Sequence, residues 1–214
     1  PAPVAAPAPA AASTTAPATD AVPRAAGPRV VFLGDSLTAG MGLPVDQAFP
    51  ARLGESLGAR GLPAQVVNAG VSGDTSAGGL RRLDWILGQK PDILVLGLGA
   101  NDMLRGLPAA DCAANLRAIV EKARAAGADV LLLGMKANPT LGPEYVAAFD
   151  SIYPALAADL GVGLVPFFLE GVAGVQGLNQ ADGLHPTAEG QDRVAELILP
   201  ALEPMVRARS APTR

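Results

Sequence analysis

Arg29-Val30-Val31-Phe32-Leu33-Gly34-Asp35-Ser36-Leu37-Thr38-Ala39-Gly40 is the stretch on which the fold turns. Four large apolar residues in a row, closed by glycine, predict a short strand buried on both faces, because a strand with one wet face would alternate polar and apolar side chains. Similar runs recur at Gln65 to Asn68, Asp92 to Leu98, Asp129 to Leu133 and Gly163 to Phe167. Between them lie stretches with helical spacing. The clearest is Asp111 to Ala126, where Leu116, Ile119, Val120 and Ala123 fall at i, i+3, i+4 and i+7. Asp111 is expected to cap that helix and Gly127 to end it. A last helix is expected from near Pro186 to about Val206, kinked at Pro200 and broken at Pro204. Strands alternating with helices predict an α/β fold, a three-layer α/β/α sandwich around a parallel sheet of about five strands. In such sheets ligands bind beyond the carboxyl ends of the strands, so the residues that follow each apolar run are the candidates for chemistry.

The 214 residues, half of them hydrophobic, suffice for one sizeable core, so one domain is expected over residues 29–207. Residues 1–28 hold 7 Pro and 12 Ala with almost no large apolar side chain, a composition that cannot offset the entropy of ordering and reads as a disordered tether. Residues 208–214 read as a disordered tail. The chain opens on Pro1, which suggests that an upstream segment has been removed. A Pro/Ala tether suits an exported protein, periplasmic or secreted, held off a membrane or cleaved from one. Sixteen basic and twenty acidic residues give a net charge of −4 with no Lys/Arg run that could track a phosphate backbone, so nucleic acid is not expected as a partner. The lone Cys112 excludes an intramolecular disulfide and a thiolate metal cluster, and is read as a plain helix residue.

After the first strand, Gly34-Asp35-Ser36-Leu37-Thr38 puts Ser36 on a tight turn at the sheet edge. Such a turn can also be a phosphate cradle, but it lacks the Lys of a P-loop and the spacing of a dinucleotide site. A G-x-S-x-G elbow would need Gly where Thr38 stands. An ordinary strand-to-helix turn with a capping Ser remains open. The only histidine is His185, three positions after Asp182 with Gly183 between and Pro186 behind. A lone His is more often structural than catalytic. Ester hydrolysis, however, needs a base of near-neutral pKa and a carboxylate to orient it, and this pair has the types and the spacing. Oxyanion donors are offered by the Gly73 backbone N–H in the turn Asn68 to Thr75 and by the Asn101 side chain after the third strand. Singly, each of those is ordinary turn chemistry.

Taken in order, these blocks resemble the SGNH, or GDSL, hydrolase family over about residues 29–206. The likeness implies that Ser36 is the nucleophile, Asp182 and His185 the acid and base, and Ser36 N–H, Gly73 N–H and the Asn101 amide the oxyanion donors. V-V-N-A-G-V-S-G-D-T-S, A-N-D-M-L-R-G-L and A-F-D-S-I-Y-P-A-L-A are similar to one branch, the bacterial periplasmic thioesterases that are also lysophospholipases and arylesterases. That implies no metal and no organic cofactor, a small ester or thioester as substrate, transient contact with lipid, and an acyl groove along Asp102 to Pro108, Lys136 to Tyr145 and Val172 to Asn179. A carbohydrate acetyl esterase of the same family is the nearest rival. A non-catalytic binding domain and a flavodoxin-like cofactor binder stand further off. Oligomeric state and acyl-length preference are not implied.

Overall fold

The computed structural model describes Gly27 to Ala211. The tether over residues 1–28 therefore lies almost wholly outside the described residues, as do the last three positions of the tail. Five strands, β1 (Arg29–Gly34), β2 (Gln65–Gly70), β3 (Ile93–Gly97), β4 (Asp129–Leu133) and β5 (Gly163–Val165), form one parallel sheet in the order β2-β1-β3-β4-β5. The helices are α1 (Ser36–Ala39), α2 (Phe49–Ala59), α3 (Ser76–Arg81), α4 (Leu83–Gly88), α5 (Ala100–Leu104), α6 (Ala109–Ala125), α7 (Pro143–Asp150), α8 (Ile152–Leu160) and α9 (Ala188–Ser210). They cover both faces of the sheet, which is why the central strands are apolar without alternation: Val30 to Leu33 and Ile93 to Leu96 are fully or almost fully buried.

The chain leaves β1 for β2 on one side and returns to β3 on the other, so the order reverses between β1 and β3. This switch point opens a crevice beyond the strand ends, and the loops after β1 and β3 form its two lips.

Local boundaries correct several sequence expectations. α6 starts at Ala109 with Pro108 at the N-cap, and Asp111 lies inside the first turn without capping it. Its carboxylate still faces the positive end of the helix dipole. The far end is as expected, with Gly127 left-handed at φ 89 just after the last turn. The buried face of α6 is Cys112, Leu116, Ile119, Val120 and Ala123, of which Leu116, Ile119 and Val120 are each worth about 1.5–3 kcal/mol of burial. β5 stops at Val165 because Pro166 has no N–H to extend the ladder.

α9 begins at Ala188, where Thr187 caps it by accepting from Gly190 N. It runs through Pro200 and Pro204 to Ser210, past both the break expected at Pro204 and the domain end expected at 207. The last turn is held by Arg209, whose Nε donates to Asp129 Oδ2 at 2.7 Å and whose Nη2 donates to Gly127 O at 3.0 Å. Those two bonds outweigh what the composition of residues 208–210 suggests.

Candidate active site

Ser36 is set by the geometry of its turn. Gly34 ends β1 where a Cβ would lie 2.0 Å from Thr38 Oγ1, so only glycine lets the chain double back this closely. Asp35 then caps α1, its Oδ1 accepting from Leu37 N at 3.0 Å. Ser36 becomes the first residue of that helix, with its N–H among the amides that have no intrahelical partner.

His185 arrives from the segment before α9. Gln180 fixes that segment to the Ser36 side: its Nε2 donates to Met41 O at 2.8 Å and to Pro186 O at 2.9 Å, and its backbone N donates to His185 O at 2.7 Å. Asp182 closes a turn on itself, Oδ1 accepting from Leu184 N at 2.9 Å and from His185 N at 3.0 Å. Its Oδ2 lies 2.6 Å from His185 Nδ1, and His185 Nε2 lies 2.8 Å from Ser36 Oγ. With Nδ1–H donating to the carboxylate, Nε2 is left to accept the serine proton. The backbone N–H of His185, its ring N–H and the N–H of Leu184 hold the Asp182 carboxyl well below the usual carboxylate range, so it stays ionised as acid is added. Ser36, Asp182 and His185 are thus brought together, across 149 residues of sequence.

Asn101 and Gly73 are brought to the same place. α5 follows β3 directly, and Asn101 Nδ2 donates to Asp74 O at 3.0 Å and, more weakly, to Asp35 Oδ2 at 3.3 Å. Gly73 adopts φ 80, a conformation that favours glycine, and its carbonyl accepts from Arg105 Nη2 at 2.6 Å. Ser36, Gly73, Asn101 and His185 all line one cavity of about 780 Å3.

The remaining walls are mainly apolar, including Met103, Leu104, Met135, Phe167 and Leu169. Of the expected groove, Met103, Leu104, the Lys136 to Pro139 turn, Ala173, Gly174 and Asn179 line it, whereas Asp102, Arg105 to Pro108, Thr140 to Tyr145, Val172 and Val175 to Leu178 do not. Tyr145 instead donates its hydroxyl to Leu107 O and stacks on Phe149. Lys136 extends its ammonium over the Phe167 ring, 5.3 Å from the centroid.

Sequence reasoning passed over Asp35. It is 1% exposed, and burial pushes its carboxyl up to about 6 against the bonds from Leu37 N and Asn101. The only signal was its place in G-D-S, which does not announce burial. Because the folded protein holds this proton more tightly than the unfolded chain does, its contribution to stability falls as pH rises from about 4 to about 6, by up to about 3 kcal/mol. Urea titrations at pH 4.5, 5.5 and 7 should show this decline in the parent and a shallower one in Asp35→Asn. Parallel slopes would refute it.

Comparison with known proteins gives a consistent picture. Residues 32–193 match the GDSL-like Lipase/Acylhydrolase family. The chain is 48% identical over 184 residues to a protein of Pseudomonas aeruginosa named Esterase TesA, covering 86% of this chain and 92% of that one. It is 38% identical over 183 residues to Thioesterase 1/protease 1/lysophospholipase L1 of Escherichia coli, covering 85% of this chain and 86% of the relative. A crystal structure of TesA superimposes with a TM-score of 0.80 at 48% identity, over 83% of this chain and 99% of that one. The parallel five-stranded sheet covered on both sides is shared with that structure. On this match of sequence and fold, the chain belongs to the GDSL-like lipase/acylhydrolase family.

Proposed function

We propose that this ester hydrolase works through an acyl-enzyme on Ser36, with His185 as general base and acid and Asp182 as the carboxylate that orients it. The observation that carries the reading is the unbroken relay from Ser36 Oγ to His185 Nε2 at 2.8 Å and from His185 Nδ1 to Asp182 Oδ2 at 2.6 Å, opening into an apolar cavity. His185 takes the hydroxyl proton as Ser36 Oγ attacks the carbonyl carbon, and Asp182 stabilises the imidazolium that results. The negative charge that gathers on the carbonyl oxygen is met by the N–H groups of Ser36 and Gly73 and by the Asn101 amide, which exchanges its long bond to Asp35 for one to the oxyanion. Collapse expels the alcohol or thiol with the proton from His185. Water, deprotonated by the same imidazole, then releases the acid.

The substrate is a small ester or thioester carrying one acyl chain. A cavity walled by methionine, leucine and phenylalanine side chains rewards an aliphatic chain, and gives an acetylated sugar few polar partners. Aryl esters, acyl thioesters and lysophospholipids are the leading candidates, the last two matching the words in the name of the E. coli relative. Hydrolysis of p-nitrophenyl esters from acetate to palmitate is expected to rise in kcat/KM from acetate to a medium chain, by about tenfold for every two CH2 groups buried at most. A profile that peaks at acetate, with turnover of acetylated glycans, would instead support the carbohydrate esterase. We place the enzyme outside the cytoplasm, on the Pro/Ala-rich composition of its first 28 residues; recovery of activity in the cytosolic fraction of the source cells would overturn that.

A further inference from the structure

Arg82 is a largely buried guanidinium that the scheme above leaves unused. It stands between α3 and α4, on the side of the crevice where β1 and β2 end. Its Nε donates to Asp74 Oδ2 at 2.7 Å, its Nη1 to Ala69 O at 2.7 Å and its Nη2 to Gly34 O at 2.9 Å. Those acceptors belong to three separate segments. Gly34 immediately precedes Asp35-Ser36, Ala69 is the penultimate residue of β2, and Asp74 follows Gly73. Asp74 passes the connection on, since its backbone carbonyl accepts the Asn101 amide at 3.0 Å.

The arrangement is mostly enclosed. The Arg82 side chain is 20% exposed and that of Asp74 11%, so their ion pair is little screened. A Cβ on Gly78 would lie 1.7 Å from Asp74 Oδ1, so the helix leaves a space that the carboxylate fills. Three acceptors in fixed directions suit the planar fork of Arg, and a lysine ammonium could not reach all of them in one geometry.

We infer that Arg82 is a positioning residue for the oxyanion site: by tying the Asp74 carboxylate to the carboxyl ends of β1 and β2, it fixes the Asp74 carbonyl that aims the Asn101 amide. The inference rests on Asn101 being an oxyanion donor. A donor displaced by about 1 Å at the reacting centre costs up to ~10²-fold in rate, although the displaced group still belongs to a folded enzyme. Substrate binding in the apolar cavity is untouched, so the loss falls on kcat.

The test is a double-mutant cycle on a p-nitrophenyl ester, comparing the parent with Arg82→Ala, Asn101→Ala and the double variant, each checked by thermal melting. Asn101→Ala is expected to lower kcat by ~10²–10³-fold. Arg82→Ala is expected to lower it by ~10²-fold with KM changed less than about threefold. The double variant should be no slower than Asn101→Ala within about threefold, because Arg82 acts through a group already removed. Guanidinium ion should restore part of the Arg82→Ala rate where sodium chloride of equal ionic strength does not. Losses that multiply in the double variant overturn the inference and leave the Asn101 assignment standing. Parent-like kcat in Asn101→Ala removes that assignment itself, and the role of Arg82 with it. If Arg82→Ala does not melt cooperatively, Arg82→Lys decides: kcat about tenfold lower at unchanged KM supports the inference, and parent-like kcat overturns it.

Discussion

Ser36→Ala and His185→Ala are each expected to lower kcat by ~10⁵–10⁶-fold, and the two together by hardly more than either alone. In the proposed mechanism the serine supplies the atom that forms the bond, and the imidazole 2.8 Å away makes that atom nucleophilic. Neither is useful without the other, so their effects cannot add. His185 is the only histidine in the chain, which removes any neighbouring imidazole that could take over. What survives is the contribution of the oxyanion donors and of binding, ~10³–10⁴ over the uncatalysed reaction. Thermal melting of Ser36→Ala should be little changed, because the Ser36 hydroxyl makes no bond other than the one to His185 among the described residues. Single-turnover kinetics on p-nitrophenyl butyrate would check this. A double variant slower than either single variant by a further factor of a thousand would mean that the two residues serve different steps.

Asp182→Asn is expected to lower kcat by ~10³–10⁴-fold while KM stays within a few-fold. The amide can keep one oxygen on the backbone N–H groups of Leu184 and His185, where Asp182 Oδ1 now sits at 2.9 and 3.0 Å. It then presents an NH2 group to His185 Nδ1, which must accept a hydrogen bond where it formerly donated one. The ring is held in the tautomer that carries its proton on Nε2, the nitrogen that should be empty. Because the Asp182 side chain is 43% exposed, water can restore part of the correct tautomer, and the loss is set toward the lower end of that range. Asp182→Ala, which leaves room for water and presents no wrong donor, should be the faster of the two variants. A slower Ala variant would show that the carboxylate acts mainly as a charge. Since Asp182 holds its proton less tightly in the folded protein than in the unfolded chain, what it contributes to stability is complete above the usual carboxylate range and is lost only as pH falls below it. Acid inactivation near neutrality therefore belongs to other groups.

Much of this arrangement was legible in the sequence, for identifiable reasons. Strands buried on both faces leave continuous apolar runs, and Val30 to Leu33 and Asp129 to Leu133 were bounded to within a residue or so. Residues that meet within one turn carry their spacing with them, which is why the sequence alone pairs Asp182 with His185. The hidden part depends on distances that only folding closes. Asp35 is buried with its carboxylate on Leu37 N and the Asn101 amide, and nothing in G-D-S announces that. Arg82 reads as one basic residue of a helix beside Arg81, yet its acceptors lie 8, 13 and 48 positions away. Tyr145 falls in a loop stretch that should line the groove, but its register on α7 turns it toward Phe149 and Leu107. Helix ends were the least accurate, since Pro204 is accommodated within α9 and the anchor of Arg209 on Asp129 spans 80 residues.

The order of elements along the chain also decides when the proposed relay can assemble. The proposed nucleophile directly follows β1, whereas the proposed base comes 149 residues later, just ahead of α9. Between Ser36 and β5 the chain holds no histidine, so a nascent chain that has emerged only as far as β5 lacks the imidazole that the proposed mechanism uses to activate Ser36. Assembly of the relay therefore waits for the segment between β5 and α9.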